Sequence, residues 1–289
     1  MKRIILFWMI LALCLNSCHK SRIVDSDYVG DECRLWKITQ RFGFAPFGVH
    51  PNLQQYGLYH YDRNGRIIKY EFFGGIRGQE KRTIYALYTY HDNRLTMVEV
   101  FISQNDTFIK TCIEEYEYDT TYRLIEITYT AFSEETNRWI ESTQAFYYND
   151  QNQVIKSVIP SHHEQRYYYD GSGNLVKEEL YPLYPVEYEG PLTRTYTFDN
   201  HKNPFYSHDT RFFLPLGNGN IATQLSPNNV KAWESYSPET GEVVARSTIE
   251  YVYNAHDYPS SATETVLSPL TDPEPSTILW YTEYEYGLN

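Results

Sequence analysis

Along much of this chain, aromatic and polar residues alternate, pause at an Asp or Asn, and then resume. Tyr59-His-Tyr61-Asp62-Arg-Asn-Gly65-Arg-Ile67 is the clearest copy. Copies follow at Tyr116–Leu124, Phe146–Val154 and Tyr167–Leu175, with variants at Tyr196–Pro204 and Tyr251–Pro259. Tyr88–Leu95 is one residue shorter, and Tyr284-Glu-Tyr286 is a half copy. Alternation at period 2 predicts strands, with the first and third positions, such as Tyr116 and Tyr118, on one face and Glu117 turned to solvent. Asp or Asn opens a tight turn through its side chain. Three residues on, Gly65 and Gly173 suit a left-handed backbone. Asn152 and Asp257 tolerate that position, whereas Tyr122 and Lys202 fit it less well, so different turns are expected there.

The first positions recur about every 29 residues, enough for two strands, a tight turn and a longer return loop. The longest interval, from Tyr196 to Tyr251, holds a Pro-, Gly- and Asn-rich segment, Asn203–Asn220, expected as a structured loop with one helical turn near Arg211. Two strands per copy give ~15 strands, and sheets of that size curl, split or close. The expected fold is therefore all-β: an antiparallel meander of hairpins closed or nearly closed into a barrel, either flattened or holding a cavity.

The start of the chain reads differently. Lys2 and Arg3 precede an apolar run from Ile4 to Leu15, then Asn16, Ser17 and Cys18. This is the layout of a secretory signal, too short for a span of ~20 apolar residues. Leu15-Asn16-Ser17-Cys18 resembles the bacterial lipobox, which implies cleavage before Cys18 and its acylation; Asn16 departs from the commoner Ala or Ser. Two or three acyl chains hold a bilayer stably where one does not. The expected division is residues 1–17 as signal, 18–31 as lipidated tether and 32–289 as a single β domain. The membrane is the expected partner, through Cys18. The expected location is the cell envelope, most simply the outer membrane, with periplasmic and cell-surface faces both open.

Composition adds limits. The formal charge of −12 becomes more negative once Lys2 and Arg3 leave, which disfavours nucleic acid. The 29 tyrosines favour strands. With Cys14 cleaved and Cys18 acylated, Cys33 and Cys112 either pair or remain buried thiols. The face opposite the tyrosines carries Glu115, Glu117, Arg166 and Lys177, unlike a lipid-facing strand, so the barrel is expected to stay out of the bilayer.

The stretch Tyr61–Ile67 resembles the Tyr-Asp repeats of Rhs-type shell proteins, which are much longer and enclose a toxin. Tyr196–Phe205 and Asn228–Val230 are similar to a family of Bacteroidetes lipoproteins of unknown function with a porin-like β fold. That resemblance runs from about Leu35 to the end. It implies a barrel-like fold and no activity.

No catalytic, cofactor or metal residue is assigned. His162-His163 is the one histidine pair, and neighbours on a strand diverge, so it is read as a polar turn. Glu114-Glu115 and Glu178-Glu179 are explained by acidic strand faces, and Gly217–Asn220 is a turn. Trp139, Trp233 and Trp280 are candidate ligand-contacting aromatics. The leading expectation is a binding or scaffold module for a glycan, lipid or protein; the alternative is a glycan-directed hydrolase, which needs two carboxylates ~5–9.5 Å apart. Mass spectrometry of the natively expressed protein should find acylated Cys18 as the N-terminus. Cys18→Ser should move the protein to the soluble fraction.

Overall fold

The computed structural model describes residues 34–44, 48–49, 53–183, 190–206, 221–268 and 276–287. Among these the architecture is all-β, with one helical turn, α1 (Ile221–Leu225). The strands are β1 (Arg34–Phe44), β2 (Gly48–Val49), β3 (Leu53–Tyr61), β4 (Ile67–Ile76), β5 (Lys81–His91), β6 (Arg94–Gln104), β7 (Thr107–Tyr118), β8 (Leu124–Ser133) and β9 (Arg138–Tyr148). They continue as β10 (Val154–Ile159), β11 (His163–Tyr169), β12 (Leu175–Pro182), β13 (Leu192–Lys202), β14 (Asn228–Tyr236), β15 (Val243–Tyr253), β16 (Pro259–Ser268) and β17 (Ser276–Gly287). Successive strands pair antiparallel; β17 pairs with β1, and β1 with β3, so the meander closes into a barrel. The strands group into two units: residues 1–83, 196–233 and 245–289, and residues 84–195 and 234–244.

Each repeat turn is built by its Asp or Asn. The Asp62 Oδ1 accepts the backbone N–H groups of Asn64 and Arg66, each at 2.9 Å. Asp119 does the same for Thr121 and Arg123, Asn149 for Gln151 and Gln153, Asp170 for Ser172 and Asn174, and Asn254 for His256 and Tyr258. Three residues on, the backbone is left-handed in all five turns: Gly65 at φ 78°, Tyr122 at 69°, Asn152 at 60°, Gly173 at 87° and Asp257 at 71°. The expectation of a different turn at Tyr122 is corrected. The Asx hydrogen bonds impose the conformation, and the Tyr122 ring is covered by the Arg94 guanidinium, 3.6 Å from its centroid. At Lys202 no such turn forms, because β13 runs straight through it. The shorter copy turns at Asp92-Asn93, both left-handed, as a two-residue hairpin loop requires.

Past each turn, one extra residue enters the returning strand. Tyr118 opposes Leu124 while Glu117 opposes Glu126, leaving Ile125 as a bulge. Ile68, Thr96, Ile155, Val176 and Ser260 take the same place elsewhere. A bulge shifts the side-chain alternation by one. Buried residues on returning strands therefore fall three apart: Ile67 and Tyr70, Leu95 and Val98, Leu124 and Ile127, Val154 and Ser157, Leu175 and Glu178, Pro259 and Ala262. Outgoing strands keep the period of two, and their first tyrosines (Phe146 in one copy) are buried, as at Tyr59, Tyr88, Tyr116, Tyr167, Tyr196 and Tyr284. Tyr70 lies across Gly57, where a Cβ would collide with its ring.

The third-position tyrosines link each hairpin to an earlier strand. Tyr118 donates its hydroxyl to the Leu95 carbonyl (3.0 Å), Tyr148 to Leu124 (2.7 Å), Tyr169 to Val154 (2.8 Å) and Tyr286 to Pro259 (2.8 Å). Each acceptor is the residue just before a bulge. Tyr61 makes the same bond to Leu35 (2.5 Å).

The insertion is clamped at its described ends. The Asn203 amide donates to the carbonyls of Thr223 (2.5 Å) and Ser226 (2.8 Å), and the Asn228 amide to that of His201 (3.0 Å). Asp199 accepts from Asn229 and the Tyr253 hydroxyl. The Asn-rich stretches at Asn203 and Asn228-Asn229 are thus structural. The helical turn lies at Ile221–Leu225; the stretch around Arg211 lies outside the described residues.

The face opposite the tyrosines is held by charge pairs. Glu71 meets Lys69 at 2.7 Å, Arg82, and His60 at 2.9 Å; Lys37 meets Glu285 at 3.0 Å; Lys177 meets Glu179 at 2.5 Å. Burial alone would raise the Glu71 carboxyl, but hydrogen bonds from Lys69 and Arg82 bring it down to about 2.

Two outcomes follow. In urea melts Tyr116→Ala should cost roughly 3–5 kcal/mol and Tyr118→Phe about 1 kcal/mol, with Glu117→Ala within ~0.5 kcal/mol. The folded carboxyl of Glu71 titrates below an unfolded glutamate at ~4.3, so its stabilisation is complete above that pH and lost as pH falls toward 2. Glu71→Gln should therefore melt below the parent protein at pH 7 and converge with it near pH 2.

Candidate functional site

Two polar clusters interrupt the apolar tyrosine face, one in each unit. In the first unit the face is set by period 2 on β1, β3, β15 and β17 and by the bulge-shifted spacing on β16. Trp233 stands three residues after the buried Val230 on β14 and donates its Nε1–H to Glu264 Oε1 on β16 at 3.1 Å. Ser247 on β15 donates to the same oxygen at 2.6 Å. Trp280 on β17 is the cross-strand partner of Glu264. Alongside, Thr282 opposes Gln40 on β1, and Gln40 opposes Gln55 on β3. Gln40 is 3% exposed, yet its Oε1 and the Gln55 Nε2 have no hydrogen-bond partner among the described residues. A buried amide atom left unpaired costs about 1–3 kcal/mol, so this pair calls for a ligand or solvent to complete it. Burial, and after it the charge of Glu264, pushes the Tyr284 hydroxyl well up in pKa.

In the second unit the residue two before the first aromatic is Glu114 on β7, Gln144 on β9, Gln165 on β11 and Arg194 on β13. The same place holds Gly57 and Ala86 on β3 and β5. The second buried place of the returning strands is Ser157 on β10 and Glu178 on β12, where Val98 and Ile127 stand elsewhere. These groups bond in two chains. Tyr129 donates to Gln144 Oε1 (3.0 Å), the Gln144 amide to Ser157 Oγ (3.2 Å), and Ser157 shares a hydrogen bond with the Tyr167 hydroxyl (3.0 Å). Gln165 donates to Glu178 (2.7 Å), which Arg194 faces at 3.6 Å, and Arg194 Nε donates to Ser235 (3.0 Å). Glu114 accepts from Tyr116, and burial raises its carboxyl above the usual range. Burial and then Glu114 push the nearby Cys112 thiol up to about 12, which leaves it inert at neutral pH.

Of the aromatics expected to contact ligand, Trp233 and Trp280 come together around Glu264. Trp139 does not: it sits at the start of β9, 46% exposed, edge-on to Phe132 with centroids 5.6 Å apart. Cys18 and Cys33 lie outside the described residues, and Cys112 is a free thiol. His162 is exposed in its turn beside the Pro160 carbonyl, and His163 is half-buried on β11. The two Glu-Glu pairs are not explained by acidic outward faces alone. Glu115 and Glu179 lie opposite the tyrosines, but Glu114 and Glu178 join them. Glu114 was legible from its spacing to Tyr116; Glu178 was hidden by the bulge at Val176. Gln40, Gln55, Ser247 and Glu264 carry no local motif. Glu114 and Glu178 lie five strand steps apart along the sheet.

No protein-family model and no curated protein matches the chain. Among solved structures it is similar to a porin-like protein from Bacteroides uniformis, at 12% identity over 88% of this chain and 96% of that one, with a TM-score of 0.46. A porin-like protein from Bacteroides vulgatus is similar at 11% identity over 89% and 99%, with a TM-score of 0.40. A TcdB2–TccC3 structure without its hypervariable C-terminal region is similar at 15% identity over 85% of this chain and 16% of that one, with a TM-score of 0.30. At such identities and scores these likenesses assign no ligand or activity.

Proposed function

We propose that this is a lipid-anchored protein of the bacterial cell envelope that binds a carbohydrate through Trp233, Glu264 and Trp280. The observation that carries the reading is the grouping of two indoles around one carboxylate, beside buried amide atoms without partners. Apolar ring faces stack on sugar rings, while a carboxylate, a hydroxyl and two primary amides serve the hydroxyl groups. Glu264 is already oriented by Trp233 and Ser247, so little ordering is left for binding. The charge-paired face opposite the tyrosines supports a barrel held at the membrane by Cys18 rather than embedded in it. Binding is favoured over hydrolysis because the site is organised around a single carboxylate whose bonds hold it in place.

Calorimetry and tryptophan fluorescence with a panel of neutral soluble glycans test this. One class should bind and quench the fluorescence. Trp233→Ala and Trp280→Ala should each lose about 2 kcal/mol, some thirtyfold in affinity, and Trp139→Ala should leave it unchanged. Binding that ignores Trp233 and Trp280, or no binding across the panel, would reject the site.

A further inference from the structure

Among the described residues no cation pairs with Glu114, whereas several other carboxylates have one. Glu71 has Lys69 and Arg82, Glu178 has Arg194, Glu179 has Lys177, and Glu285 has Lys37. Among the described residues Glu114 accepts one hydrogen bond, from Tyr116, and its second oxygen accepts none. Around it stand aromatic rings. Tyr129 is its cross-strand partner on β8. On the other side its partner is Val98 on β6, beyond which Tyr88 lies in register on β5. Val98 and Ala86 are fully buried and apolar. The Tyr129 ring is fixed by its bond to Gln144, which Ser157 and Tyr167 hold in turn.

From this arrangement we infer a second binding site: Glu114, with Tyr88, Tyr116 and Tyr129, receives the protonated amine of an organic ligand, best fitted by an amino sugar with a free ammonium group. A half-buried carboxylate without a cation is costly, and a cation that the ligand brings relieves it. Tyrosine faces attract an ammonium group, the more so once it leaves water. The site stands on other strands than the Trp233–Glu264–Trp280 cluster and does not depend on it.

Burial raises the Glu114 carboxyl above its usual range. The titratable groups around it, Cys112 and Tyr116 on its own strand, Tyr129 on β8 and Tyr88 on β5, include no cation, and burial pushes Cys112, Tyr116 and Tyr129 up as well.

The test is calorimetry on the full-length acylated protein in detergent with glucosamine and with glucose, which carries a hydroxyl in place of the ammonium. Glucosamine should bind at least about tenfold more tightly. Glu114→Gln, which still accepts from Tyr116, should abolish the preference with the circular dichroism unchanged. Should that variant not fold, Tyr129→Phe, which keeps the ring and frees it from Gln144, should weaken glucosamine several-fold and leave glucose alone. Equal affinity for the two sugars, or an unaltered preference in the variant that folds, overturns the inference.

Discussion

The hydrogen bond from a tyrosine hydroxyl to a backbone carbonyl beside a bulge holds this architecture together. A bulge disrupts the ladder and leaves a carbonyl to be satisfied elsewhere. Here Leu95, Leu124, Val154 and Pro259 present that carbonyl, and Tyr118, Tyr148, Tyr169 and Tyr286 answer it. The bulge in turn depends on the Asx turn before it, which fixes where the returning strand begins. Turn, bulge and tyrosine are thus one device. The tyrosines recur because each must span to an earlier strand and end in a polar atom, which Phe could not do.

Much of this was legible in the sequence. The Tyr-x-Tyr-Asp frame placed the strands and turns, and the alternation of Tyr116, Glu117 and Tyr118 between faces holds in the structure. The returning strands were harder. Nothing in Leu124-Ile-Glu-Ile127 announces that its buried residues are three apart, since Ile125 looks as apolar as its neighbours. Tyr122 was judged by its intrinsic preference, which the Asp119 hydrogen bonds and the Arg94 cover override. The sites were less legible still. Trp233 and Glu264 are far apart in sequence and meet because the strands between them are laid side by side.

The polar clusters stand out against a layer that is apolar elsewhere. Gly57, Ala86, Val98 and Ile127 occupy on their strands the places that Glu114, Gln144, Gln165, Ser157, Glu178 and Arg194 occupy on theirs. A polar side chain on a buried face must find partners, and most of these do so with one another. Glu114, Gln40 and Gln55 retain atoms without a protein partner, and those are the points at which a ligand adds what the protein lacks.

The hook between hairpins has a direction. In each described case the carbonyl precedes its tyrosine in the chain: Leu35 before Tyr61, Leu95 before Tyr118, Leu124 before Tyr148, Val154 before Tyr169 and Pro259 before Tyr286. A chain made from its N-terminus therefore exposes every acceptor before the group that fills it. Each new hairpin can fasten onto the one already formed without waiting for what comes later. The hooks are thus offered and filled in the order of the chain, and its last strand, β17, pairs with its first, β1.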